Sequence, residues 1–175
     1  QVGVGNNNEV FVHAKNRNSN GSFNVVNVVY TVSGSGALTQ KWKRIGGGAE
    51  AHQIRIVDVN EDGVDDMAHI GYVLNGVNGT VLYTIPGVIH GDRYHIGKFD
   101  PNRPGLQGYG VQQVNPSGLP EYYYDARNGQ ILWTHTGSPA DVGRGNAADI
   151  DPARPGYEVW SFSGIYNAPT NAKLT

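Results

Sequence analysis

Two stretches of the sequence carry side chains able to do chemistry. The first, Asp58-Val59-Asn60-Glu61-Asp62-Gly63-Val64-Asp65-Asp66, sets side-chain oxygens at its first, third, fifth and ninth positions and glycine at its sixth. That register wraps a short loop around one hard cation, and calcium asks for about six to eight oxygens. Asp58, Asn60, Asp62 and Asp66 would offer side chains and Val64 a carbonyl, with water completing the shell. Asp149, Asp151 and Glu158 repeat the set further on, whereas a middle copy has Lys98 at its first position and Gln107 at its last. An ammonium cannot ligate calcium, but it can stand in the cation's place and pair with Asp100. Calcium is therefore expected in the first and third loops and not in the middle one.

The second stretch is His90-Gly91-Asp92-Arg93-Tyr94-His95, in which two imidazoles, a carboxylate and a guanidinium fall within six residues. Such a set can move a proton, bind a carboxylate or hold a metal. Positions aligned with it hold Glu50-Ala51-His52-Gln53 and Gly143-Arg144-Gly145-Asn146, with Arg93 and Arg144 in one register. Polar groups at one depth suit a site shared by several repeats. The structural alternative is an Arg–Asp network that ties neighbouring repeats together, and the calcium loops are expected mainly to brace the fold. His13, His69 and His135 lie in strand-like runs and read as packing or surface residues. Tyr122-Tyr123-Tyr124 reads as strand packing rather than a sugar platform, and Trp42 and Trp133 as core between repeats.

The elements that must carry these residues are short strands. Ile54 to Val57 and Met67 to Val73 flank the first loop and are apolar and β-branched, without helical periodicity. Ile56-Val57-Asp58-Val59-Asn60, Ile96-Gly97-Lys98-Phe99-Asp100 and Ala147-Ala148-Asp149-Ile150-Asp151 are successive copies of one unit. A second marker recurs in step: Leu38 to Trp42, Gly79 to Tyr83 and Gly129 to Trp133 each end in an aromatic residue. A repeat of roughly 40–50 residues built from short strands predicts an all-β β-propeller. The expected blades are approximately 1–45 (partial), 46–86, 87–137 and 138–175 (partial), about three and a part, all within one propeller domain. Glu9 stands where Asp66 and Glu158 stand, as though Gly5 to Val12 were the tail of an earlier loop. The chain begins with Gln inside a repeat and stops without a capping strand, which suggests part of a longer protein.

With 25 Gly and nine Pro the chain suits many tight turns, and a net charge of −2 offers no basic field for nucleic acid. There is no cysteine and hence no disulfide framework, and no apolar run approaches the ~18 residues of a membrane-spanning helix. Calcium loops and the sequons Asn20-Gly21-Ser22 and Asn78-Gly79-Thr80 favour a secreted protein, and a monomer is expected.

From His90 to Leu106, and again from Asp141 to Trp160, the sequence resembles the rhamnogalacturonan lyases of polysaccharide lyase family 11. The residues that carry the resemblance are His90 to Gly97, the Asp-Pro-x-Arg-Pro-Gly loops at Asp100 and Asp151, Asp125-Ala126-x-x-Gly129-x-Ile131-Leu132-Trp133, and Asp141-Val142-Gly143-Arg144-Gly145. It spans about Gly46 to Pro169, and Gln1 to Arg44 are similar only loosely. The resemblance implies an eight-bladed propeller, several calcium ions and a site over the central channel. Its substrate would be an acidic plant cell-wall polysaccharide, the rhamnose–galacturonate backbone of rhamnogalacturonan I, cut by β-elimination. On that footing His52 and His90 would lie near the reacting sugar, Arg93 and Arg144 would bind carboxylates, and Asp92 and His95 would orient the others or bind calcium. The competing readings are a calcium-braced propeller that binds carbohydrate or an extracellular protein without catalysis, and an interaction scaffold.

Overall fold

The computed structural model describes residues 1–20, 22–113, 118–137 and 144–175, and within them the chain is all β. Asp141, Val142 and Gly143, expected to open the last repeat, lie outside the described residues. Sixteen strands form four antiparallel sheets, each taking its strands in chain order. The first holds β1 (Val2–Gly5), β2 (Glu9–Arg17), β3 (Phe23–Val32) and β4 (Leu38–Ile45). The second holds β5 (Arg55–Val57), β6 (Asp66–Ala68), β7 (Tyr72–Leu74) and β8 (Val81–Thr84). The third holds β9 (Tyr94–Gly97), β10 (Gln107–Val111), β11 (Glu121–Asp125) and β12 (Ile131–His135). The fourth holds β13 (Asn146–Ala148), β14 (Glu158–Ser161), β15 (Gly164–Asn167) and β16 (Ala172–Lys173).

The first and last sheets are thus four-stranded, where the sequence suggested partial repeats. Their missing strands were hard to read locally: Val2–Gly5 alternates valine with glycine, and Ala172–Lys173 has two residues. The first strands of neighbouring sheets lie side by side, β1 against β5 and β9 against β13.

Repetition extends to the way each sheet grips the next. Trp42 Nε1 donates to Gly76 O at 2.8 Å, Tyr83 OH to Ala126 O at 2.6 Å, and Trp133 Nε1 to Ala168 O at 2.9 Å. All three donors sit on the fourth strand of one sheet, and all three carbonyls begin the last turn of the following sheet. In the three sheets concerned, the pairing of third and fourth strands is shifted at the aromatic position: Val29/Tyr30, Val73/Leu74 and Tyr123/Tyr124. The extra residue bends the outer strand and re-aims its side chains. The cores follow the same rule and bridge successive sheets. Phe11, Val29 and Trp42 pack on Met67, Tyr72 and Leu74, and Phe99, Tyr109 and Tyr123 pack on Val159 and Ala168. Tyr122, Tyr123 and Tyr124 are buried, so they serve packing, as their strand context indicated.

The aromatic grip explains the glycine that ends the turn in the second and third sheets, Gly79 against Trp42 and Gly129 against Tyr83. Gly129 has φ of 76°, and an added Cβ would lie 2.5 Å from the Tyr83 ring. Left-handed backbone disfavours a side chain, and crowding at a packed ring adds to the cost. Gly129→Ala is expected to lower the unfolding free energy by about 2 kcal/mol or more, as read from urea denaturation of the full-length protein.

Candidate active site and cation-binding loops

The two histidine-bearing segments lead into first strands of adjacent sheets and are fastened to each other. Glu50 N–H donates to Ile89 O at 3.0 Å and Gly91 N–H to Glu50 O at 3.2 Å, a short parallel bridge that brackets His90. From below, the buried amide of Gln112 accepts the Ile89 and His90 N–H groups on Oε1 and donates through Nε2 to Gly87 O and Leu119 O. Gly91 permits this approach, since a Cβ there would lie 2.2 Å from Val111 O.

That scaffold brings His52, His90 and Asp92 together. Their ligating atoms lie within 4.8 Å of one another, the sole such group of metal-capable side chains among the described residues. The imidazoles meet edge to face with centroids 6.0 Å apart. Asp92 is the shared acceptor. Its Oδ1 is 3.4 Å from His52 Nε2 and 3.4 Å from Gln113 Nε2, and its Oδ2 accepts from Arg144 Nε at 3.1 Å. His52 and Arg144 are 68% and 77% exposed and stand open to a ligand, whereas Asp92 is largely covered. Chemically the group offers two proton carriers, a fixed anion that orients one of them, and a guanidinium at the rim for an anionic ligand. It could also hold a divalent cation.

Not every expected residue joins it. Arg93 is exposed. His95 turns to the fourth sheet, its Nε2 2.9 Å from Gly145 O. Burial lowers the His95 pKa, with Arg55 and Arg93 acting in the same direction and the Gly145 carbonyl opposing them. Of the histidines read as packing residues, His13 and His69 are buried. His135 is bound between the third and fourth sheets to Glu121 at 3.1 Å through Nδ1 and to Asn171 at 2.9 Å through Nε2. Ser163 Oγ also reaches Glu121 and the Nδ1 side of His135. Serine and acid address one nitrogen while the other is occupied, so this cluster ties sheets and cannot run a nucleophilic relay.

The loops between first and second strands share one device. The residue at their last position opens the second strand, is buried, and accepts backbone N–H groups from across the loop. Asp66 takes Val59 and Gly76, Gln107 takes Phe99 and Asp100, and Glu158 takes Ile150 and Asp151. Glu9 opens β2 likewise but pairs with Lys41. In the first loop Asp58 accepts from the Asp62 and Gly63 amides and Asp62 from that of Val64. Asn6 of the first sheet clasps the loop from outside through Asp65 and Gly63 O. Burial, helped by the charges of Asp62 and Asp58, pushes the Asp66 pKa up to about 6 against the pull of the Gly76 and Val59 amides. A hard cation among these oxygens would relieve that strain, so the donor set fits calcium. In the middle loop Lys98 Nζ donates to the Arg103 and Gly105 carbonyls, where pairing with Asp100 was expected. Asp100 Oδ1 instead accepts the Asn102 N–H at 2.9 Å. In the third loop Asp151 is paired with Arg154 at 2.9 Å.

The family model for rhamnogalacturonan lyase family 11, C-terminal domain, matches residues 30–173. The chain belongs to rhamnogalacturonan lyase family 11. The family match thus begins within β3 and takes in part of the first sheet, which on sequence resembled the family only loosely. The chain is similar to the rhamnogalacturonan endolyase YesW of Bacillus subtilis (strain 168), 41% identical over 118 residues covering 67% of this chain and 18% of the relative. Similarity to the exolyase YesX of the same organism is 41% over 114 residues, covering 63% and 18%. Among solved structures, a Bacillus licheniformis rhamnogalacturonan lyase PL11 superposes with a TM-score of 0.82 at 31% identity, covering 95% of this chain and 28% of that one. The YesW crystal structure gives 0.78 at 33%, covering 87% and 27%. The chain therefore spans less than a third of the length of these relatives.

Sequence reasoning passed over Gln112 and Gln113 at this cluster and gave Glu50 no role beyond its place in the aligned segment. Two glutamines at the end of a strand carry no local signal of the backbone they will clamp.

Proposed function

We propose that the chain forms four blades of an eight-bladed propeller that cleaves the rhamnose–galacturonate backbone of rhamnogalacturonan I by β-elimination. The observation that carries this reading is the convergence of His52, His90 and Asp92 with Arg144 above strands of three different sheets. A propeller that only binds has no need of paired imidazoles at that place. The side-by-side first strands support the propeller arrangement.

The C5 proton of galacturonate lies α to a carboxylate, so its removal builds negative charge on that group. Arg144, exposed and able to leave Asp92, is suited to bind the carboxylate, with Arg93 as a second cation at the rim. One imidazole takes H5, the C5–H electrons form the C4=C5 double bond, and the C4–O bond breaks. The rhamnosyl oxygen leaves with a proton from the other imidazole or from water. Asp92 holds His52 in orientation and stabilises it when charged. Calcium belongs to the reading at Asp58, Asn60, Asp62, Val64 and Asp66, and at Asp149, Asp151 and Glu158, where it would brace the blades. When bound it supplies positive charge that offsets these carboxylates. A cell-wall polymer is met outside the cell, so secretion goes with this function.

The test is ultraviolet absorbance with time when the full-length protein is mixed with rhamnogalacturonan. Growth of the unsaturated-uronate signal is expected. A folded protein that binds the polymer without any such signal would overturn the proposal.

A further inference from the structure

The first sheet contributes no residue to the histidine cluster, yet one of its side chains reaches beneath it. Lys15, on β2, is 18% exposed and sends Nζ to Glu50 Oε2 at 3.1 Å and to Ala51 O at 2.8 Å. Ala51 directly precedes His52, and the Glu50 backbone brackets His90 through Ile89 and Gly91. One ammonium therefore fixes the peptide that launches the first imidazole and the residue that holds the second. We propose that Lys15 is a positioning residue for the histidine pair, acting through Glu50, an inference that rests on the lyase reading above.

The surroundings make the ammonium hard to replace. Glu50 is buried, and its Oε1 has no hydrogen-bond partner, so Oε2 carries its contacts. His13 Nε2 is 3.5 Å from the same oxygen, while its Nδ1 is held by Asn27 Oδ1 at 2.8 Å. Burial pushes the Glu50 pKa up, but His13 and Lys15 outweigh burial and hold it below the usual carboxylate range. A buried carboxylate stripped of its nearest cation turns toward water. Here that turn would drag the 50–51 peptide and loosen the bridge to His90. The packing of the first sheet on the second does not depend on Lys15, since Phe11, Val29 and Trp42 meet Met67, Tyr72 and Leu74 elsewhere.

Lys15→Met and Lys15→Arg in the full-length protein test this, with kcat and KM on rhamnogalacturonan and the rate at which diethylpyrocarbonate modifies His52 and His90, read by peptide mass spectrometry. A displacement near 1 Å at reacting groups costs up to about a hundredfold in rate. Lys15→Met is expected to lower kcat at least tenfold with KM within about twofold, and to change both modification rates at least twofold. Lys15→Arg should restore most of kcat. Glu50→Gln, of equal size, should behave like Lys15→Met and serves if that variant does not fold. Wild-type kcat and modification rates in Lys15→Met, or in Glu50→Gln, would overturn the inference. So would equal loss in Lys15→Arg together with a lowered melting temperature, because that marks a merely structural role. If the wild-type protein cleaves nothing, the lyase reading fails, and the modification rates still decide the positioning.

Discussion

His90→Ala in the full-length protein is expected to lower kcat/KM on rhamnogalacturonan by about 10²–10⁴-fold, the range that a positioned acid or base contributes. The melting temperature should stay near wild type, because the segment is held by its backbone. Gln112 Oε1 takes the Ile89 and His90 amides, and Glu50 brackets the peptide on the other side, so the imidazole can go while its platform remains. His52→Ala should lose activity on the same scale. Its ring is mostly exposed and touches Asp92, so its removal disturbs little packing. Asp92→Asn keeps the shape but removes the charge shared by His52 and Arg144. It should therefore weaken both contacts at once and cost less than either histidine. Activity within threefold of wild type in both His→Ala variants would remove the two imidazoles from the mechanism.

Removal of calcium should have the second large effect, on stability. Asp58, Asp62 and Asp66 already repel one another strongly enough to help raise the Asp66 pKa to about 6, on top of its burial. A cation that binds only the folded state adds about 2.7 kcal/mol when present at a hundred times its dissociation constant. A chelator is accordingly expected to lower the melting temperature of the full-length protein by several degrees, and added calcium to restore it. Asp58→Ala combined with Asp62→Ala should abolish the part of that increment due to the first loop. The middle loop offers an internal contrast, since Lys98 already occupies its carbonyl oxygens and no response to calcium is expected there. Identical melting curves in chelator and in calcium would end the case for a structural cation.

Much of this was legible in the chain. The register of Asp58 to Asp66, its echo at Asp149 to Glu158 and the Lys98 substitution are set within about ten residues. The aromatic positions Trp42, Tyr83 and Trp133 recur in step with those loops, and the structure finds them in one role, donating to a carbonyl of the next sheet. Strand identity and turn positions follow from alternation, β-branching and glycine, whose physics is local. The sequence by itself therefore determined the all-β repeat and where its loops and aromatic grips fall.

Tertiary structure decided which side chains meet. Asp92 could have served either histidine or neither; sheet packing sets it between His52 of one segment and Arg144 of another, while Arg93, next to it in sequence, stays exposed. Lys98 finds the Arg103 and Gly105 carbonyls because the proline-bearing loop folds them over it, and Asp100 is spent on the Asn102 amide. Lys15, Glu50 and Gln112 gain their roles only because separate sheets stack in a given rotation. Contacts across sheets depend on the relative placement of segments tens of residues apart, which no local spacing encodes, and that is why the loops and the candidate side chains could be read from the sequence but the contacts among them, and their supports Lys15, Glu50 and Gln112, could not.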